Sequence, residues 1–95
     1  MKQAKAIKKV PGGKLVRVDI TYGERLEKVI ITGDFFLYPE DVLQVIENAL
    51  AGALLPLEKT SLIEKVQNIL NREKAVLVGF SPQDLIDILE EAMQS

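Results

Sequence analysis

Few residues in this sequence combine a reactive type with a useful spacing. Pro11-Gly12-Gly13-Lys14 is the first such group. Glycine N–H groups can cradle an anion, and Lys14 adds positive charge beside them. The group is not G-x-x-x-x-G-K-[ST], however, and it leads into a strand-like pattern rather than a helix. A plain turn is what the local residues favour. Asp34 is the second candidate, at the end of a strand-like run and beside apolar residues. An aspartate at such a joint ordinarily bonds nearby backbone N–H groups in an Asx-type turn. The acids Glu40-Asp41 and Glu90-Glu91 are adjacent in sequence, so they diverge around a helix and cannot converge on one substrate atom. There is no cysteine and no histidine. That removes disulfides, thiolate catalysis, thiolate metal or cluster ligation, and the usual general base near neutral pH. A stand-alone enzyme built on Lys14 and Asp34 would lack the other groups that catalysis needs.

The stretch GDFFLYPED, residues 33–41, raises a different kind of chemistry. It holds Phe35, Phe36 and Tyr38, three of the five aromatic residues, where a strand-like pattern gives way to a helix-like one. Connections at such joints are usually polar, because water satisfies their backbone at the surface. Neighbouring side chains leave the backbone in different directions, so Phe35, Phe36, Leu37 and Tyr38 cannot all point inward. One or two would plug the gap between sheet and helix. The remainder would form an exposed apolar patch, a usual mark of a partner surface.

The elements that position these residues are legible from periodicity. In LVRVDITY, residues 15–22, Val16, Val18, Ile20 and Tyr22 share one side and Arg17, Asp19 and Thr21 the other, as in a half-buried strand. LEKVIIT, residues 26–32, reads as its partner, with Gly23-Glu24 as a tight II′ turn. That turn would set Tyr22 opposite Arg25, Val18 opposite Val29, Val16 opposite Ile31 and Asp19 opposite Lys28. AIKKV, residues 6–10, supplies a short third strand, and Pro11-Gly12-Gly13 turns the chain into the hairpin. A first helix starts at Pro39 with Glu40-Asp41 at its positive end. Val42, Val45, Ile46, Ala49, Leu50 and Ala53 form its apolar face, and Gly52 and Pro56 mark its end. A second starts at Ser61, with Glu64 completing a capping box. Its stripe is Leu62, Val66, Ile69 and Leu70, and Asn71 is its stop. A third starts at Ser81-Pro82, with Leu85, Ile88, Leu89 and Ala92 facing inward. AVLVG, residues 75–79, could be a buried extended segment, but five residues are too few to decide it from periodicity. The expected fold is α+β, a small three-stranded antiparallel sheet covered on one face by about three helices.

With 95 residues, 47% of them hydrophobic and 27% charged, the chain is expected to form one globular domain over residues 1–95. So short a chain buries a modest share of its surface, and its stability can lean on a partner. No apolar run approaches the roughly 20 residues of a membrane span, and no long apolar stretch follows the basic N-terminus. A cytoplasmic protein without membrane contact is the simple reading. Residues 1–28 carry eight Lys or Arg and three acids, whereas residues 29–95 carry four and eleven. A solvated strand face with acidic helices accounts for this, although it could also steer an acidic partner or anionic ligand to the N-terminal face. No basic stripe with aromatic residues argues for nucleic acid.

KKVPGGKLVRVDI, residues 8–20, and ITGDFFLYPED, residues 31–41, together resemble the C-terminal accessory domain of lipoate–protein ligases. The family pattern is a K-x-PGGKL-type strand entry, a second strand running into GDFF, and then a Pro-initiated helix with an apolar face. ALAGALLP at 49–56 and GFSPQDLIDIL at 79–89 fit as well, so the resemblance spans essentially the whole chain.

The resemblance implies a non-catalytic subunit. A large catalytic module binds lipoate and ATP with Mg2+, makes lipoyl-adenylate and transfers the lipoyl group to a lysine of an acceptor domain. The small module is needed chiefly for adenylation and binds no cofactor alone. In some organisms, archaea among them, it is a separate polypeptide, an arrangement that the Met1 start and the end soon after the last helix resemble, although a domain excised from a longer ligase would look much the same. The catalytic module's lipoate motif and adenylate-binding lysine have no counterpart here. By position, the resemblance implies a contact surface for the large subunit made of Gly12, Gly13 and Lys14 with Asp34, Phe35, Phe36 and Tyr38. The family's fold is similar to that of small iron–sulfur assembly modules, whose chemistry needs a cysteine that this chain lacks. A generic protein-binding module of the same shape is the alternative reading.

Overall fold

The chain is described by a computed structural model covering residues 1–12 and 14–94. Its elements run β1 (Lys2–Lys9), β2 (Leu15–Tyr22), β3 (Leu26–Gly33), β4 (Phe36–Tyr38), α1 (Val42–Leu50), α2 (Lys59–Arg72), β5 (Val76–Val78) and α3 (Pro82–Gln94). The first three strands form an antiparallel meander, so the expected α+β architecture holds. A second, two-stranded sheet of β4 and β5 is added to it.

The inner face of the meander is apolar because Val16, Val18 and Ile20 of β2 alternate with Arg17 and Asp19. Val29 and Ile31 of β3 continue that face. α3 packs across β1 and β2, α1 packs on β3, and α2 closes against both helices. Every residue of the expected stripes on α2 and α3 is buried, and Ile86 joins them. On α1, Val42, Ile46 and Leu50 are buried, while Val45 and Ala49 are half-buried at the margin.

Five local expectations are corrected. The β2–β3 register is shifted by two residues, with Val18 opposite Ile31 and Ile20 opposite Val29, and a bulge beside Thr21 and Tyr22. The two-residue turn is replaced by a connection closed by Tyr22 and Leu26. The cause is a competing partner. Gly52 N donates to Leu26 O, Leu26 N to Ala53 O and Leu55 N to Glu24 O, while Arg25 Nη1 donates to Gly52 O. A shift of two leaves each side chain on its own face, so the core survives it. It separates Asp19 from Lys28, and Asp19 instead accepts two bonds from Arg17, at 2.8 and 2.9 Å. Those bonds hold the Asp19 carboxyl below its ordinary value, against the opposing effect of burial.

The third correction concerns Pro39. It does not begin α1, because residues 36–38 pair with β5 and the chain turns through 39–41 before the helix starts at Val42. The fourth concerns caps. Ser61 lies inside α2, which begins at Lys59, and no side chain caps that helix. Lys59 is drawn instead to Asp87 at 2.7 Å and Glu90 at 3.3 Å on α3, and these bonds raise its pKa. The reciprocal box forms at α3, where Ser81 N donates to Asp84 Oδ2 and Asp84 N to Ser81 Oγ, at 2.9 and 3.1 Å. β1 also begins earlier than expected, at Lys2, as a lysine-rich edge strand. Such charge discourages edge-to-edge pairing. Among the described residues, no helix is long and apolar enough to cross a membrane.

Candidate functional site

The residues of GDFFLYPED divide sharply by the side they face. β4 alternates, so Leu37 turns inward, 7% exposed, while Phe36 and Tyr38 turn outward, 55% and 63% exposed. β5 repeats this with Leu77 half-buried and Val76 and Val78 exposed. The antiparallel register sets Phe36 opposite Val78 and Tyr38 opposite Val76. Directly opposed side chains on one face of a strand pair touch or nearly touch. Four apolar side chains therefore form one continuous face in water. An exposed apolar patch of that kind is a common feature of interaction surfaces.

The ribbon is fixed to the core from beneath. Phe35 is half-buried, and its ring meets the buried Phe80 edge-on, with centroids 5.0 Å apart and planes at 83°. Aromatic pairs prefer this geometry because the positive ring edge meets the negative face. Gly79 permits the approach. It has φ of 127°, and a Cβ there would stand 2.8 Å from Phe35 Cβ. Gly33, with φ of 146°, is equally constrained, since its Cβ would stand 2.3 Å from Leu15 O. Directly after it, Asp34 N donates to that same carbonyl at 2.8 Å.

The expected contact residues are partly brought together. Lys14 Nζ lies 3.9 Å from Asp34 Oδ2, joining the end of the PGGK turn to the start of the GDFF joint. Both side chains are largely exposed, so this pair adds little stability. Its importance is positional. The Asx-type bonds expected of Asp34 do not form among the described residues, where its carboxylate meets only Lys14. Gly12 serves the turn, with φ of 101° and nothing within 4 Å of a notional Cβ. Gly13 lies outside the described residues. Val76 and Val78 escaped the sequence reading, because a three-residue apolar strand carries no period of its own. Gly79 was the available signal, a backbone break closing an apolar run.

Among the described residues, no group of three or more His, Cys, Asp or Glu could hold a metal ion. An open groove of about 720 Å³ lies at the other end of β2 and β3, lined by Tyr22, Leu54, Leu55, Pro56, Leu57 and Met93. It is chiefly apolar, with Glu24 and Glu90 at its margin. The apolar ribbon remains the best-defined candidate.

No family model matches the chain. Among curated proteins, lipoate-protein ligase A subunit 2 of Thermoplasma acidophilum is 33% identical over 79 residues, covering 79% of this chain and 76% of that protein. Among solved structures, a chain from the bipartite lipoate protein ligase and E2 lipoyl domain of the same organism superposes with a TM-score of 0.69. That match is 28% identical and covers 94% of both chains. With that identity sustained over most of both sequences, this chain belongs to the lipoate-protein ligase A subunit 2 family.

Proposed function

We propose that this chain is the non-catalytic accessory subunit of an ATP-dependent lipoate–protein ligase, acting over residues 1–95 as one domain, and that its ribbon docks on the large catalytic subunit. One observation carries the docking reading. Phe36, Tyr38, Val76 and Val78 form an exposed apolar face on a chain whose relatives are ligase second subunits. Lasting subunit contacts have an apolar centre and a polar rim. The ribbon would supply the centre, and Lys14 and Asp34 the adjoining rim.

In the complex, lipoate and ATP give lipoyl-adenylate and pyrophosphate, with Mg2+ on the nucleotide. The acceptor lysine then takes the lipoyl group and AMP departs. The groups that make and break these bonds belong to the large subunit. This chain would order the nucleotide loops of that subunit and exclude water during adenylation, a gating contribution that needs no reactive side chain. The acceptor meets the complex afterwards, in the cytoplasm.

Lipoate-dependent pyrophosphate–ATP exchange by the large subunit, with and without this chain, tests the reading. Exchange should depend on the chain, and equal activity of the large subunit alone overturns the accessory role. The double variant Phe36→Ser/Tyr38→Ser should retain its fold and bind the large subunit about tenfold or more weakly, as expected for aromatic anchors. Unchanged affinity would remove the ribbon from the interface. Lys14→Ala tests the rim and should weaken binding less.

A further inference from the structure

The meander has a second face, and among the described residues no helix lies on it. α1 and α3 pack only from the inner side. The strand pairing fixes what the open side displays. Lys5 and Lys9 of β1 point outward there, with Arg17 of β2 and Lys28 of β3. Arg17 is occupied by Asp19, to which it donates from Nε and Nη2. Lys5, Lys9 and Lys28 form no ion pair among the described residues. The other nearby carboxylate is Glu27, at the bulge by the hairpin end. Between the lysines stand Ile7, Leu15 and Ile30, exposed by 59%, 50% and 39%.

This face differs in kind from the ribbon. The ribbon is uncharged and aromatic, suited to a contact that persists. The sheet face has exposed cations around small aliphatic contacts, with Lys5 opposite Asp19 and acting on its carboxylate. Such surfaces steer encounter and fix orientation, and because salt screens them they also release readily. In a ligase, the macromolecule that must arrive and leave in every cycle is the acceptor protein. The three aliphatic side chains and the absence of aromatic residues favour a protein surface over a nucleic-acid strand, which would stack on aromatic rings.

We infer that the outer face of the three-stranded sheet docks the acceptor protein through a carboxylate-bearing surface of that protein. The inference rests on the ligase reading and adds a substrate-positioning role to it. The lysines contribute to capture, and Ile7, Leu15 and Ile30 give the contact its register. Lys5, Lys9 and Lys28 are positioning residues, remote from bond making.

The test uses the complex of large subunit and this chain, with a separately produced lipoyl acceptor domain as the probe. Lipoyl transfer is measured against acceptor concentration at about 50 and about 300 mM salt. Lys5→Glu/Lys9→Glu/Lys28→Glu should raise KM for the acceptor about tenfold at low salt and leave kcat within about twofold. Pyrophosphate–ATP exchange, which needs no acceptor, should stay unchanged. The wild-type KM should rise with salt while that of the variant stays nearly flat. If charge reversal unfolds the chain, Lys5→Gln/Lys9→Gln/Lys28→Gln gives the same comparison with a smaller shift of about threefold. A variant KM equal to wild type at low salt overturns the inference. So does weakened binding of the large subunit by a folded variant, which would assign the face to that partner. Oligonucleotide binding that the variant loses, with acceptor KM unmoved, overturns it in favour of nucleic acid. Exchange that proceeds without this chain would instead refute the ligase reading.

Discussion

In β2, Val16, Val18 and Ile20 disappear beneath the helices, whereas in β4 and β5 the outward Phe36, Tyr38, Val76 and Val78 stay in water. Both regions are built on the same two-residue alternation. The meander turns its buried apolar side toward helices of its own chain and a side of mixed charged and aliphatic residues outward. The ribbon hides Leu37 and presents apolar side chains on the opposite face as well. A strand apolar on both faces needs cover on both, and this chain supplies cover on one. The inner face of the meander is covered by its own chain, and the outward face of the ribbon is not.

That contrast can be broken or sharpened by substitution. The largest stability loss is expected in the shared core, where Leu89→Ala should cost about 2–5 kcal/mol in urea unfolding. Gly79→Ala attacks the mounting of the ribbon. Its strained φ and the clash with Phe35 should cost about 1–3 kcal/mol. It should also weaken large-subunit binding out of proportion to that loss. Removing the α3 cap with Ser81→Ala should cost about 1 kcal/mol and leave binding of the folded protein intact.

Asp19→Asn should produce a smaller change, and one that depends on pH. The native carboxyl is held below its ordinary value of 3.8, so its stabilising effect is fully present above that value and disappears as pH falls through the lowered one. Wild type and variant should therefore differ at neutral pH and converge in strong acid. The smallest stability effect is expected from Phe36→Ser/Tyr38→Ser, within about 0.5 kcal/mol of wild type despite its large effect on binding. A substantial loss of stability there would show that the ribbon supports the fold, and the contrast between the regions would fail.

The parts legible in the sequence are those governed by local periodicity. The alternation of residues 15–22 and the stripes of α2 and α3 named their buried faces correctly. Long-range competition was less visible. Residues 52–55 take backbone partners in the hairpin connection and move its register, although they lie well beyond the next strand. Ser61 and Ser81 each precede an acid by three residues, yet only the second forms a box. Pro82 opposes helix extension upstream, while nothing prevents α2 from running back to Lys59. Of the candidate site, the surplus aromatics at 35–38 were visible. Their companions at 76 and 78 were not, because such distant pairing depends on the whole fold.

The edge-on packing of Phe35 against Phe80 has a consequence for the chain's life before assembly. Because Phe35 is keyed into the core, the adjoining ribbon is held open and cannot collapse inward to hide its aromatic side chains. Isolated subunit is therefore expected to self-associate through that face at high concentration, which light scattering of the purified chain would check. Balanced synthesis of both subunits would shorten that interval, and excess of the small one would be expressed as aggregation rather than as surplus activity.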